Sequence, residues 1–506
     1  MSPELLNDLE VLSPELWLVA TIVLALLADV VWRERGHTAI ALLTLVGTGL
    51  GLAAIGPAPQ GSERVFGLLL DDGHAHFFRA LILGGTFVTA LFASVFRGLE
   101  HETRNEFYPM LLSAALGACL LVATDHLLML VLGMEMLSLS SYVMAGWQKR
   151  ERRSAEAAMK YLVYGALSTG LMLFGFSLLY GVAGSLRMSE IGAAVGATFA
   201  GAGADAGAIE DGVVLVLATV FALAGLGYKV AIFPFHFWAP DVYEGSPTPV
   251  TTFLAVASKA AGFGVLVRFV DGVFLGQAGN EAWIATLGSV FAVLAAVTMT
   301  YGNVTAVLQR NVKRLLAYSS IAHAGYLLMG VAVMLASPDG RHAHAGADAL
   351  LVYMATYYLA TLGAFGCVMA LANRYGAEDL EDYAGLGWSS PWIGAAIVVF
   401  LASLTGLPPT IGFVGKWRLF EVSLDAGLAW LAVVAAINAV VSLFYYFRVV
   451  RAMFLSGEAA ELEASPAPGL MPRVASLALG VIALVTFALW WWRFDHLSAW
   501  VQGAGL

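Results

Sequence analysis

Long apolar runs alternate with short polar connections from one end of this 506-residue chain to the other. A bilayer crossing takes about 20 mostly apolar residues, and more where the helix tilts or breaks. Fourteen stretches meet that description, near residues 15–32, 38–56, 75–96, 106–123, 126–146, 155–183, 212–239, 248–273, 281–305, 313–336, 347–373, 391–420, 426–454 and 471–492. The pattern predicts an all-α polytopic membrane protein, because no soluble domain of this size hides so much apolar surface.

Two of the runs are interrupted. Pro234 breaks the seventh and Pro408-Pro409 the twelfth, and related motifs open the breaks, Leu223-Ala-Gly-Leu226 and Leu404-Thr-Gly-Leu407. The two spans are five apart in order, so they cross in opposite directions. Paired interrupted helices in corresponding positions are the sequence sign of an inverted repeat built around a transport site. The expected organisation is N-terminal helices 1–3 in residues 1–104, a first five-helix repeat (helices 4–8) in 105–275, a second, inverted repeat (helices 9–13) in 276–456, and helix 14 in 457–506.

Composition narrows the class further. Hydrophobic residues make up 59% and charged residues 12% of the chain, and the formal net charge of −10 is scattered over loops and termini, with no block that would meet nucleic acid or another charged partner. The two cysteines, Cys119 and Cys367, lie far apart in apolar stretches, which excludes a disulfide framework, a CxxC metal site and iron-sulfur ligation. Before residue 15 stand Glu4, Asp8 and Glu10 and no Lys or Arg, so 15–32 reads as a retained span and not as a signal peptide. Alternate loops and their flanks carry fifteen Lys and Arg residues, among them Arg33, Arg35, Arg310 and Arg448. The other set carries seven, among them Arg64, Arg79, Arg268, Arg418 and Arg493. With four lysines inside spans these account for all 26. The positive-inside rule then places both termini on the periplasmic, outer side.

The intramembrane charges are the candidate chemistry. Glu135, Lys160, Lys229, Lys259 and Lys416 all fall within long apolar stretches, and an ionisable residue at membrane depth faces a partner charge or a hydrated path. Burial moves a lysine towards neutrality, where it takes up and releases protons, and a nearby carboxylate switches with it. Glu135 reads as such a switch or as a structural ion pair. Lys229 and Lys259 lie too deep to reach an interface, whereas Lys160, about six residues into its span, is within reach of one. The breaks at Pro234 and Pro408-Pro409 free backbone groups that protein or water must satisfy, one way to build a hydrated passage. His323, in Ser319-Ser-Ile-Ala-His323, reads as a proton relay between Lys259 and Lys416 or equally as a satisfied core histidine, and His236 lies just past the first break. No phosphate-binding GxxxxGK[ST] loop is present.

The run from Leu226 to Phe263, LGYKVAIFPFHFWAPDVYEGSPTPVTTFLAVASKAAGF, closely resembles the antiporter-like membrane subunits of bacterial NADH:quinone oxidoreductase, respiratory complex I, and within them the subunit N family. The similarity extends to GMEMLSLSSYVMAGW at 133–147, SAEAAMKYLVYGALSTGLMLFGFSLLYG at 154–181, RLLAYSSIAHAGY at 314–326 and GLPPTIGFVGKW at 406–417, and so covers roughly residues 105–455. The sister subunit M has glutamate in helix 12 where this chain has Lys416, and subunit L continues into a long lateral helix.

The resemblance implies fourteen helices with two inverted five-helix repeats. It implies that Glu135 on helix 5 pairs with Lys229 on helix 7, that Lys259 sits at the channel centre, that Lys416 leads to the second half-channel, and that Lys160 is the additional helix-6 lysine. The expected function is proton translocation in the inner membrane, coupled to electron transfer from NADH to quinone in partner subunits. FMN and iron-sulfur clusters are expected in those partners, and no cofactor or metal in this chain. The expected partners are the other complex I subunits, especially the neighbouring membrane-arm ones, and the lipid bilayer. The rival readings are a subunit of a multi-subunit Na+/H+ antiporter or membrane-bound hydrogenase, which would share the same buried charges, and a structural membrane scaffold with dry packing around its lysines.

Overall fold

The structure, a computed structural model, describes residues 3–32, 36–59, 61–99, 103–201, 206–275, 281–337, 340–455 and 470–489. It begins with α1 (Pro3–Val11), α2 (Ser13–Trp32) and α3 (His37–Ala53), followed by a hairpin of β1 (Glu63–Val65) and β2 (Leu69–Asp71). Then come α4 (Gly73–Val95), α5 (Phe107–Val122), α6 (Leu127–Ala145), α7 (Arg152–Ala183), α8 (Met188–Gly201) and α9 (Ala206–Val230). After the first break follow α10 (Trp238–Gly245), α11 (Thr248–Phe253) and α12 (Lys259–Phe274), the last two joined by a π-helical turn, Leu254–Ser258. The second half holds α13 (Glu281–Val307), α14 (Val312–Met334), α15 (Ala343–Tyr375), the short α16 (Leu386–Ser389), α17 (Pro391–Thr405), α18 (Ile411–Asp425), α19 (Ala429–Leu455) and α20 (Leu470–Ala488).

Among the described residues, ten helical stretches are long and apolar enough to cross a bilayer, and α3, α5, α17 and residues 473–488 of α20 are shorter apolar helices. The chain is a predominantly α-helical, multi-pass membrane protein. Its helices sort by exposure. The α11–α12 unit and α14 are buried over their whole apolar windows, whereas α2 buries only 22% of its own. A helix that is apolar on every face belongs in the interior, so α12, α14 and α15 form the axis of the bundle. The outer helices turn large apolar side chains outward, such as Leu27 and Val30 on α2, Leu167 on α7 and Phe444 on α19. Those faces suit lipid or a neighbouring membrane subunit. Exposed Trp17, Trp32, Trp392 and Trp430 lie at helix ends, where interfacial rings are favoured. Helices α13 and α14 meet through Gly302 and Gly325, where an added Cβ would stand 2.5 Å from Ala322 N and 2.5 Å from Met299 N respectively. Small residues permit that approach.

One small antiparallel hairpin accompanies the helices: Glu63 pairs with Asp71 and Val65 with Leu69, and Leu69 bridges to Thr124. The seventh apolar stretch is interrupted around Pro234, as the sequence predicts: α9 stops at Val230 and helix resumes only with α10 at Trp238. Proline at 234 has no N–H and disfavours helix in the residue before it. Arg79 and Arg268, counted with the outer loops, are 1% and 6% exposed. Arg79 Nε donates to Glu15 Oε1 at 2.7 Å, and Arg268 grips Asp72 with two nitrogens, at 2.8 and 2.9 Å. A carboxylate partner lets each arginine stay inside, so neither reports on loop charge. Arg33 and Arg35 of the larger set and Arg493 of the smaller one lie outside the described residues.

Candidate functional site

Lys229 lies in the last turn of α9, and the backbone turns away immediately after it. Ala231 takes a left-handed φ of 58°, which a side-chain-bearing residue adopts at a cost of about 1–2 kcal/mol. The Tyr228 carbonyl then accepts from Ala231 N and from the Trp238 indole Nε1, both at 3.1 Å, so α10 is tied back onto the turn that carries the lysine. Thr298 Oγ1 accepts from Phe233 N at 3.2 Å within the break. The Lys229 ammonium, 3% exposed, donates to Ser138 Oγ at 3.1 Å.

Glu135, one turn before Ser138 on α6, accepts from Thr169 Oγ1 of α7 at 2.8 Å and is half-buried. The two charges anticipated as a pair are within electrostatic reach of one another but make no direct ion contact. Each has its own hydroxyl partner, and the pair stands open. Thr169 and Ser138 were invisible as functional residues in the sequence, since hydroxyls are ordinary in membrane helices.

The Lys229 stem lies against Gly262 of α12, where an added Cβ would come within 3.3 Å of Lys229 Cγ. One turn earlier on the same helix is Lys259, directly after the π turn and 2% exposed. Its ammonium donates to both the carbonyl and the hydroxyl of Ser320 on α14, each at 2.5 Å. Ser320 Oγ bonds Tyr357 OH at 2.9 Å, and that hydroxyl donates to Ala255 O inside the π turn at 3.2 Å. A π turn leaves its carbonyls out of the ordinary ladder, and here one receives an outside donor.

His323 is one turn further along α14. Its Nδ1 lies 2.6 Å from Tyr353 OH and its Nε2 3.3 Å from Tyr446 OH, and the Tyr446 hydroxyl is also bonded to Ser319 Oγ. Its ring lies 4.9 Å from that of Tyr357 and 5.9 Å from that of Tyr326. Tyr326 in turn presents its face to Lys416, whose ammonium is 4.6 Å from the ring centroid. A row of buried polar and aromatic side chains therefore runs from Lys259 through Ser320, Tyr357, His323 and Tyr326 to Lys416. The tyrosines of this row were missed, because a tyrosine in an apolar run carries no signal until its neighbours are known.

Lys416 is seated by the second break. Its ammonium donates to Thr405 O, the last residue of α17, at 2.7 Å. A cation is favoured at a helix C-terminus, where carbonyls lack partners and the macrodipole is negative. Gly406 makes the seat possible: its φ is 84°, and a Cβ there would stand 2.7 Å from Lys416 Cδ.

Two candidates lie elsewhere. Lys160 is at the rim, its side chain 36% exposed, bound to Glu156 Oε1 at 2.7 Å and Asp241 Oδ2 at 2.5 Å. Asp241 is shared with Arg314 of α14, also at 2.5 Å. Partial burial pushes the Asp241 carboxyl up, but hydrogen bonds from Lys160 and Arg314 prevail and hold it below the usual carboxylate range. Asp241 and Arg314 line a polar cleft of about 180 Å³ with Arg153, Glu156 and Glu244. His236 is 1% exposed in the first break and sits among the rings of Phe233, Phe237 and Tyr301, with no hydrogen-bond partner for either nitrogen. Among the described residues no group of three or more His, Cys, Asp or Glu side chains is placed to hold a metal ion.

Comparison with known proteins bears on this arrangement. Residues 124–442 match the family model described as NADH:quinone oxidoreductase/Mrp antiporter, TM. A relative from Chlorobium chlorochromatii (strain CaD3), named NADH-quinone oxidoreductase subunit N, is 42% identical over 484 residues, covering 94% of this chain and 90% of the relative. A chain of respiratory complex I from Thermus thermophilus with bound aureothin aligns with a TM-score of 0.73 at 35% identity, covering 94% of this chain and 96% of that one. A chain of an archaeal respiratory membrane complex, the membrane-bound sulfane sulfur reductase, aligns with a TM-score of 0.80 at 22% identity, covering 99% and 97%. At that identity it shares the fold.

Proposed function

The chain belongs to the NADH:quinone oxidoreductase/Mrp antiporter transmembrane family, and from that premise we propose that it is the N-type membrane-arm subunit of a proton-pumping NADH:quinone oxidoreductase, in the bacterial inner membrane. The redox chemistry belongs to partner subunits, which hold the FMN and iron-sulfur clusters and reduce the quinone. This chain moves protons. The observation that carries the reading is the buried row linking Lys259 to Lys416, with Lys229 packed one turn from Lys259.

In this reading all fourteen apolar helical stretches cross the membrane, both termini face outward, and helices 4–8 and 9–13 are inverted repeats within residues 105–275 and 276–456. Residues 1–104 hold helices 1–3 and residues 457–506 helix 14. The two breaks support the repeat, since each half presents a lysine at the C-terminal end of a broken helix: Lys229 ends α9, and Lys416 reaches the end of α17. Closely packed glycines knit α5 to α6 in the first repeat as they knit α13 to α14 in the second.

The residues divide the work as follows. Glu135 and Lys229 form the switchable pair. Closing and opening it changes the field at Lys259, which loads a proton from the inner side. The proton passes along Ser320, Tyr357 and His323 to Lys416 and leaves on the outer side. Lys160 serves at the inner rim. Glu135 is half-buried in mid-helix, on a face that also exposes Leu132, Leu139 and Val143. A carboxylate at that depth costs a few kcal/mol against lipid, so the α6/α7 face is one that a neighbouring membrane subunit covers.

Replacing Lys229 or Glu135 by alanine in the assembled complex is expected to lower both proton pumping and the coupled quinone reductase rate. Undiminished coupled activity in both variants would remove the proposed role. The antiporter and hydrogenase readings share the lysines, but the 42% identity over 94% of the chain is to a subunit N.

A further inference from the structure

Arg314 and the short helix α10 stand outside the proton row, yet they join the Lys229 turn to the helix that holds Lys259. At its start, α10 is fastened to the Lys229 turn by the Trp238 indole, which donates to Tyr228 O at 3.1 Å. At its other end Lys313 Nζ donates to Ser246 O at 3.1 Å, and Gly245 abuts α7, where an added Cβ would stand 2.4 Å from Arg153 O. Between these, Arg314 Nη1 bridges Asp241 at 2.5 Å and Glu244 at 2.9 Å, while its guanidinium lies over the Tyr318 ring at 5.9 Å. Asp241 is simultaneously held by Lys160 of α7. An eight-residue helix about 12 Å long, pinned at both ends, moves as a rigid strut.

The far side of the link is α14 itself. Six residues after Arg314 the same helix carries Ser320, whose two oxygens hold the Lys259 ammonium, and three residues later His323. The continuous helix leaves little room for those groups to shift without Arg314.

We infer that Arg314 is a positioning residue that couples the Lys229 turn to the Lys259 site, through α10 on one side and α14 on the other, across the two halves of the protein. This rests on the proton-translocating role proposed above. Displacement of the Lys229 turn draws α10 along. The Arg314 bridge passes it to α14, and Ser320 and His323 shift against Lys259. The two carboxylates of α10 suit a guanidinium, which can hold both while stacking on Tyr318, as an ammonium cannot.

The test uses the assembled complex in membrane vesicles, with R314Q, R314K, E244Q and, as reference, K229A. Rates are taken per assembled complex. R314Q is expected to lower the quinone reductase rate and proton pumping together, at least threefold, with a protonophore failing to restore the reductase. R314K is expected to recover part of the loss, and E244Q, which removes one bridge, to lose about half. If Arg314 is only a brace, R314Q reduces the amount of complex while each remaining complex works at the normal rate, and that result overturns the inference. Should R314Q fail to assemble, a normal rate per complex in both R314K and E244Q overturns it equally. In either case an impaired K229A shows that the proton-translocating role survives, whereas an unimpaired K229A counts against that role itself.

Discussion

Replacing Ser138 by alanine tests whether the open Glu135/Lys229 arrangement is a working state. The Lys229 ammonium is almost wholly enclosed, and it hydrogen-bonds Ser138 Oγ and makes no direct ion contact with the Glu135 carboxylate. A hydrogen bond to a charged group contributes about 1.5–3 kcal/mol. S138A removes that bond with almost no change in volume, so the amine gains by moving towards Glu135, an anion within electrostatic reach. A bias of about 2 kcal/mol towards the closed pair changes the ratio of closed to open about thirtyfold. If every turnover passes through the open arrangement, pumping and quinone reductase fall by up to that factor.

The assay is quinone reductase activity and proton uptake in inverted membrane vesicles at matched complex content, with NADH oxidation by a soluble acceptor as the control that stays unchanged. S138T keeps the hydroxyl and is expected to retain most of the rate. T169V acts on the other half of the open state, because Thr169 Oγ1 is the donor to Glu135. The double variant is expected to be slower than either single one. Rates within twofold of wild type for both S138A and T169V would refute the reasoning, since the hydroxyls would then not be what keeps the pair apart.

Lys160 and Lys259 should separate cleanly: K160M removes a pair at the exposed rim, where such contacts contribute about 1 kcal/mol or less, and is expected to cost under twofold in pumping, while K259M is expected to cost more than tenfold. The buried Asp72–Arg268 pair predicts a pH dependence of stability. Burial pushes the Asp72 carboxyl up, but Arg268 prevails and holds it down at about 2 against a usual 3.8. A carboxylate lowered on folding contributes stability that is present above pH 4 and lost as pH falls towards 2, about 2 kcal/mol in all. Thermal unfolding of D72N against wild type at a series of pH values is expected to show a gap that narrows below pH 4 and closes near pH 2. G412A is expected to unseat Lys416, because the new Cβ would stand 1.8 Å from Ser403 O, a backbone atom, and must displace the first turn of α18. Lower reductase activity per complex checks it.

What the sequence discloses about this protein follows from what one dimension can hold. Lys229, Lys259 and Lys416 stand out because a charge inside an apolar run is visible without neighbours, and the spans stand out because membrane thickness sets their length. The partners are not visible in this way. Ser138, Thr169, Ser320, Tyr357 and Tyr446 acquire meaning only when α6, α7, α14, α15 and α19 are brought together, and the acceptor for Lys416 is a backbone carbonyl that any sequence would supply. Arg79 and Arg268 went the other way. Near the ends of apolar runs they resemble loop charges, and the carboxylates that draw them inside are 64 and 196 residues distant. The same physics sets α10 apart. Its residues Asp241 and Glu244 read as an ordinary polar loop, and only the return of α14 past them, with Arg314 in its first turn, converts two loop acids into a joint between the lysine sites.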